Sequence, residues 1–379
     1  MRIGMFSDTY FPQKNGVATA VKLYKEILED MGHEVFVFIP KYSKDFERNE
    51  KNVFEFPSIK YPLEKDHRIA VFPPHVFFKI KKLELDVIHT HTPFSMGILA
   101  YWSAKLFDIP YIGTHHTMYE YYRHYLPLVI RPPLSLTKKL IRDWCLRLDR
   151  VIAPTWEIKR VLVEYGVPEN HIEVIPTGID TEKFETPPSR SLREELGIGD
   201  KKILLYVGRL GKEKNIDFLL RVFKRLEDPD VVLVIIGDGP EREHLEEIVE
   251  ELGLEDRVAF TGGMPREKVI DAYKCADVFV FASYTETQGL VILEAMAAGL
   301  PVVALGKMGV KDLLERSGGG IMIEELDEKE FAEAIEKVLS DPELRERLSR
   351  AGRKFVKENF SIRRTVEKMV KLYEEMLAR

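Results

Sequence analysis

Two glutamates, Glu286 and Glu294, stand eight positions apart in ETQGLVILE, with Gly289 between them. The preceding run DVFVFAS is short and apolar, and QGLVILEAMAAG has helical composition, so the pattern predicts strand, loop and helix in that order. The first amides of such a helix, near Gln288, Gly289 and Leu290, lack intrahelical partners and carry the positive end of its dipole, which makes an anion site. A glycine at position 289 lets a phosphate approach the backbone. Eight helical residues span at most about 12 Å, comparable with the reach from a ribose across a diphosphate to a sugar. A carboxylate at each end suits hydroxyls, with the diphosphate between. The plainer alternative is a dipole-favoured glutamate at the helix mouth and a surface Glu294. Against it, Glu294 is surrounded by Val291, Leu293 and Ala295, where an unpaired carboxylate is costly.

Cations that could hold the diphosphate follow another apolar strand. In YVGRLGKEKNID, Arg209 and Lys214 precede a helix expected near Asn215. Arginine offers a planar fork of donors and lysine a point charge; a solvated basic loop is the alternative. In FSDTYFPQKNGVATAV, Gly16 lies in the loop between the first strand and its helix, where backbone can approach a ligand. Neither this loop nor GDGPERE contains the three-glycine dinucleotide fingerprint. Four imidazoles, His89 and His91 in HTHTP and His115 and His116 in GTHHTMY, gather at two strand ends. They raise a metal site as an alternative, but no carboxylate or cysteine stands beside them at ligand spacing. Hydrogen-bonded histidines, or an imidazole beside a sugar hydroxyl, are the other readings. The Asp-x-Asp at Asp228–Asp230 precedes its strand and reads as a turn.

These residues need strand ends to carry them. Short apolar runs alternate with helical patterns throughout: RIGMFSD, EVFVFIP, DVIHTHT, PYIGTHH, RVIAPT and EVIPTG, then KILLYVG, VVLVIIGDG, RVAFTGG, DVFVFAS and PVVAL. Nearly continuous apolar strands are covered on both faces, as in parallel sheets flanked by helices. The polar stretch DTEKFETPPSRSLREELGIGD separates the two series. The expected architecture is α/β, with two doubly wound Rossmann-like domains at 1–185 and 186–360 and a cleft between them. Residues 361–379 form a last amphipathic helix. In such sheets ligands sit beyond the carboxyl ends of the strands.

A net charge of −6 over 379 residues gives no nucleic-acid footprint. No apolar run is long enough for a spanning helix, and the N-terminus turns polar too soon for a signal peptide, so a cytosolic protein is expected. Cys145 and Cys275 are expected to be reduced thiols. One stretch departs from the acidic balance. From Arg123 to Arg150 there are seven cations, among them Arg131, Lys138, Lys139, Arg142 and Arg147, against Asp143 and Asp149. Leu140, Ile141, Trp144 and Leu148 fall on one helical face, so this segment reads either as a contact for an anionic membrane or as an ordinary packed helix.

Together these residues resemble the retaining glycosyltransferases of family four, which have the GT-B fold. The resemblance covers essentially the whole chain. ETQGLVILE matches the family's Glu-x7-Glu, GRLGKEKN its cationic loop, and the Gly16 loop and HTMY correspond as well. It implies that Arg209 and Lys214 hold a donor diphosphate, that Glu294 holds the ribose and that Glu286 faces the transferred sugar. His116 would lie near that sugar and the acceptor, the amides around Gly16 and Gly289 (with Gln288 and Leu290) would contact phosphate, and Met264 would meet the base. THHTMYEYYRHYLP and ETQGL are most similar to the diacylglycerol glucosyltransferases. Asn15–Gly16 departs from the two glycines of many members. The expected reaction moves glucose from UDP-glucose, with retention and without metal or cofactor, to a diacylglycerol-type lipid at the inner face of the membrane. The C-terminal helix is a candidate to return to the first domain. A soluble acceptor is the alternative within the class; a metal-dependent hydrolase and a non-catalytic nucleotide-sugar-binding module are those outside it.

Overall fold

The computed structural model describes residues 1–13, 15–42, 49–60, 68–120, 131–187 and 191–378. Within them the chain forms two compact units, residues 1–178 with 362–379, and residues 179–361. The expected boundaries at 185/186 and 360/361 therefore shift. Ile179 and Phe184 are buried in the core of the second unit, and the Ile179 amide donates to the Phe360 carbonyl at 2.8 Å, which draws the seam's first residues into that unit.

The first unit is built on strands β1 (Arg2–Phe6), β2 (Glu34–Pro40), β3 (Val53–Phe56), β6 (Val87–Thr90), β7 (Tyr111–Thr114), β8 (Arg150–Ala153) and β9 (Ile172–Val174). They form a seven-stranded sheet in the order β3-β2-β1-β6-β7-β8-β9, and all its pairings are parallel. A small antiparallel pair, β4 (Ser58–Lys60) and β5 (Arg68–Ala70), stands apart. The helix Ile362–Leu377 belongs to this unit: Ile362, Val366, Met369 and Tyr373, spaced at one helical face, sit in the core of the first sheet.

The second unit contains β10 (Lys202–Val207), β11 (Val231–Ile236), β12 (Val258–Gly262), β13 (Val278–Phe281), β14 (Val302–Leu305) and β15 (Gly320–Ile323). Their order is β12-β11-β10-β13-β14-β15. All six residues of β11 are buried, as a strand covered on both faces requires. Each sheet reverses its direction of winding once, between β1 and β6 in the first unit and between β10 and β13 in the second. Loops diverge to opposite faces there and leave a crevice at the carboxyl ends of the strands. Among the described residues no helix is long and apolar enough to cross a membrane. Cys145 is buried, Cys275 is half-buried, and both are free thiols.

Candidate functional site

In the second unit the loops after β10 and β13 meet at the reversal point. The β10 loop carries Arg209, then a short 3-10 turn, Lys212–Lys214, and then the helix Ile216–Lys224. Asn215 joins turn to helix in a left-handed conformation, φ 50°, and its amide donates to the Ala282 carbonyl at 2.9 Å. That bond fixes the end of the cationic loop against the end of β13. Lys214 is bonded directly to the Glu286 carboxylate. Arg209, earlier in the same loop, is half-buried, its carbonyl accepting from the Tyr206 hydroxyl at 3.1 Å.

The β13 loop is itself buried at Ser283, Thr285 and Gln288. The Gly309 amide donates to the Glu286 carbonyl at 3.0 Å and fixes the loop from the other side. The helix begins at Leu290, slightly later than the pattern suggested, because Gly289 takes a left-handed φ of 82° as its cap. A side chain there would strain the turn. Ile292 and Leu293 both donate to the Gly289 carbonyl, so the amides before them open the helix toward the crevice. Arg209, Lys214, Glu286, Gln288, Gly289 and Leu290 are thus brought to one strand-end crevice.

Glu294 lies deeper. It is 5% exposed, and the Arg266 guanidinium grips it with two bonds, 2.9 and 2.6 Å. Met264 is half-buried two residues before Arg266. Burial, and then the charge of Glu294 beside it, push the Tyr273 phenol well above 10. A buried carboxylate held by a fork-fork partner still has lone pairs to offer to hydroxyls. Arg266 was invisible to motif reasoning: MPREK reads as an ordinary helix start, and only the fold brings it to Glu294. Removing one partner of a fully buried pair costs about 3–5 kcal/mol. Arg266 is 41% exposed, so screening should reduce the loss from Arg266→Ala to about 2 kcal/mol. A lower melting temperature with an unchanged unfolding slope is the expected result, and an unaltered melt would show that the pair does not stabilise this unit.

The two glycines of GDGPERE serve packing. A Cβ on Gly237 would meet the Gly208 carbonyl oxygen at 1.8 Å, and one on Gly239 the Leu210 carbonyl oxygen at 2.3 Å. They let the β11 loop pass against the β10 loop. The Asp228 turn lies at the amino end of its strand, where it pairs with Lys202 at 3.0 Å.

In the first unit, Gly16 is the first residue of the helix Gly16–Asp30 rather than part of the loop. Asn15 caps it, accepting from the Ala18 amide at 2.9 Å. A second anchor escaped sequence reasoning. Asp8, buried after β1, accepts from Thr92 at 2.6 Å, from the Ser95 hydroxyl and from the Met96 amide at 3.0 Å. It ties together the loops after β1 and β6.

The histidines form a connected row. His89 bonds Tyr373 at 2.6 Å and Thr114 at 2.7 Å; its ring lies 4.1 Å from that of His91; and His91 Nδ1 is hydrogen-bonded to His116 Nε2 at 3.1 Å. Burial, then a neighbouring imidazole, pushes His89 down to about 3 and His116 to about 3. Burial takes His115 to about 4, and burial with both neighbours takes His91 well below 6.5. All four are neutral at pH 7, and a neutral imidazole can accept a proton or orient a hydroxyl. Among the described residues no group of three or more His, Cys, Asp or Glu is placed to hold a metal.

The basic stretch is reorganised. Arg123 lies outside the described residues. In the helix Leu134–Cys145 and just beyond it, Ile141 and Leu148 are buried and Trp144 is half-buried. Ile141 and Leu148 pack inward, Leu148 lying against Gly113 of β7, whereas Leu140 of the same face is 57% exposed and Leu134 and Leu136 are exposed as well. Lys138 covers the Tyr165 ring at 4.9 Å, and Arg142 bonds Asp143 at 2.8 Å. Lys139 and Arg147 remain exposed.

Residues 14–183 match the family model described as Glycosyltransferase Family 4, and residues 189–355 match Glycosyl transferases group 1. The alpha-monoglucosyldiacylglycerol synthase of Streptococcus pneumoniae is 40% identical over 91% of this chain and 80% of its own length. The enzyme of the same name from Acholeplasma laidlawii is 36% identical over 80% of each. Among solved structures, Anabaena HepE in complex with UDP and glucose superposes with a TM-score of 0.81 at 19% identity, covering 99% of this chain and 100% of that one. Sucrose-phosphate synthase from Thermosynechococcus elongatus also gives 0.81, at 24% identity over 100% and 99%. These likenesses establish the fold as that of the GT-B glycosyltransferases.

Proposed function

Because this chain belongs to the family-four glycosyltransferases and is a hexosyltransferase, we propose that it moves glucose from UDP-glucose to a diacylglycerol-type lipid, with retention of configuration and without a metal. One observation carries this reading. Arg209 and Lys214 after β10 share a strand-end crevice with the helix start at Gly289 after β13. The leaving nucleoside diphosphate develops negative charge, and fixed donors aimed at that charge stabilise it without reorganising. The Lys214 ammonium serves the diphosphate while Glu286 shares it, so Glu286 orients the lysine as well as facing the sugar. Glu294, held by Arg266, accepts from the ribose hydroxyls, with Met264 toward the base. Gly16 contributes its amide to phosphate. His116, neutral and tied to His91, orients or accepts from the acceptor hydroxyl. The similarity to two diacylglycerol glucosyltransferases supports the lipid acceptor, and with it action at the inner membrane face.

A donor-by-acceptor activity screen, with and without lipid vesicles, tests the whole reading. UDP-glucose with diacylglycerol is expected to give the highest rate, unaffected by a chelator, and the product should be the α-anomer. A soluble acceptor preferred over every lipid would overturn the acceptor assignment. The two carboxylates should separate kinetically. The ribose does not change in the reaction, so Glu294→Ala should mainly raise the donor KM; the sugar does change, so Glu286→Ala should mainly lower kcat. The opposite pattern would reverse their roles.

A further inference from the structure

Arg266 stands where helix electrostatics disfavours it. It is the first residue of the helix Arg266–Cys275, directly after Pro265, and the positive end of a helix dipole repels a cation in the first turn. Residues that break a local preference gather at functional sites. Two contacts offset the placement. Nη1 and Nη2 of Arg266 donate to Oε2 and Oε1 of Glu294 at 2.9 and 2.6 Å. The guanidinium carbon also lies 5.9 Å from the centre of the Phe184 ring, which is buried in the core of this unit. The guanidinium is thus tied both to a core ring and to the carboxylate.

The same contact fixes Glu294. Two parallel bonds hold a carboxylate in one plane, whereas a single bond to a point charge lets it turn. Each oxygen takes one guanidinium bond and keeps a lone pair, so the pair presents two acceptors, one on each oxygen. Met264, assigned to the base, stands two residues before Arg266 in the segment that follows β12. One short stretch of chain therefore serves both parts of a nucleoside.

We propose that Arg266 is a positioning residue that makes the donor site selective for ribonucleotides over 2′-deoxyribonucleotides. The inference rests on the reading that Glu294 accepts from the ribose hydroxyls, and it names what holds the carboxylate ready for them. An acceptor fixed beforehand loses no rotamer freedom when the donor binds. A site built for a hydroxyl rejects the analogue that lacks it, because the site's own polar group is left unpaired. Acting through Glu294, Arg266 thereby excludes donors built on a 2′-deoxynucleotide. Without the fork the carboxylate turns, and the 2′-hydroxyl adds little.

The test is calorimetric titration of the full chain with UDP and with 2′-deoxy-UDP. The parent should bind UDP roughly tenfold to hundredfold more tightly, the scale of one hydrogen bond to a carboxylate. Arg266→Lys keeps the cation but not the fork, so it should bring the two affinities within about threefold of each other. The change should come from weaker UDP binding, and 2′-deoxy-UDP should bind nearly as in the parent, which also reports a folded site. Arg266→Gln, which removes the charge as well, should lose the same discrimination. With UDP-glucose, Arg266→Lys should raise the donor KM and leave kcat nearly unchanged, since the ribose does not change in the reaction. The inference is overturned if either variant keeps the parent's ratio, or if both ligands weaken equally, as the loss of a purely structural pair would require. A parent that does not distinguish the two ligands removes the ribose role of Glu294 itself, and this inference with it. A parent that binds GDP better than UDP removes only the uridine assignment, and the ratio of GDP to 2′-deoxy-GDP in parent and variants then decides.

Discussion

Arg209→Ala and Lys214→Ala are each expected to lower turnover about 10²–10³-fold, the scale of losing one donor aimed at developing charge. The backbone of the loop that carries them has anchors besides their side chains. The Asn215 amide holds the backbone to Ala282, and the Tyr284 amide donates to the Glu213 carbonyl at 3.3 Å. Arg209→Ala should therefore melt like the parent, with its loss in kcat. Lys214 also has a second partner. Because it is bonded to Glu286, removing it strands a carboxylate that is only 19% exposed beside a site meant for phosphate. The double variant Lys214→Ala/Glu286→Ala should lose less than the product of the two single losses, as contacting residues generally do. Steady-state rates of the four proteins provide the cycle. Near-normal turnover in both single lysine and arginine variants would remove the diphosphate role, and strict additivity would remove the coupling.

Acid should unfold the first unit before it touches the second. His89, His91, His115 and His116 have folded-state pKa values held below the unfolded 6.5 by burial. The unfolded chain therefore binds more protons than the fold between pH about 6.5 and about 4, and stability falls as pH falls through that window. One such imidazole loses about 1.4 kcal/mol per pH unit, so two units cost roughly 3 kcal/mol for one residue. The other three act in the same direction, against the roughly 5–15 kcal/mol that holds an ordinary domain. The chain supplies its own probe, since its three tryptophans, Trp102, Trp144 and Trp156, all lie in residues 1–178. Urea unfolding followed by their fluorescence should show a midpoint that drops steeply between neutral pH and about pH 5. His89→Gln should flatten part of that slope. A midpoint indifferent to pH in this range would mean that the imidazoles are already solvated.

The strand ends were readable because parallel strands covered on both faces announce themselves as unbroken apolar runs. VVLVII and KILLYV needed no alternation to be recognised, and placing Arg209, Lys214 and Gly289 at a crevice followed from their position after such runs. Glu294 was suspect for its apolar company alone. Its partner was not readable, because Arg266 is 28 residues away in sequence and only the twist of the sheet closes that distance. The same holds for Asp8 with Ser95 and for His89 with Tyr373, contacts made across the fold by residues without local pattern. The helix from Leu134 was ambiguous for a physical reason, and the fold divides its apolar residues, Ile141 inward and Leu140 outward. An amphipathic face has the same composition whether it covers a sheet or a bilayer, and Leu148 found Gly113 of β7. Conversely, the helix Ser95–Phe107 is apolar nearly all round, so no periodicity marked its exposed side.

The return of residues 362–377 to the first sheet has a consequence for biosynthesis. Val366, Met369 and Tyr373 complete a core begun by Ile3 and Met5, so the N-terminal half of the chain leaves the ribosome without its last helix. At roughly 5–20 residues per second, the intervening residues 179–361 take on the order of 10–40 s to be made. During that interval the second unit can fold as an uninterrupted segment, while the first waits with an apolar groove open and His89 without its tyrosine. The usual order of vectorial folding is therefore inverted: the domain translated first is finished last. A nascent chain stalled before residue 362 should present a groove that chaperones recognise, and the groove should close when synthesis passes Met376.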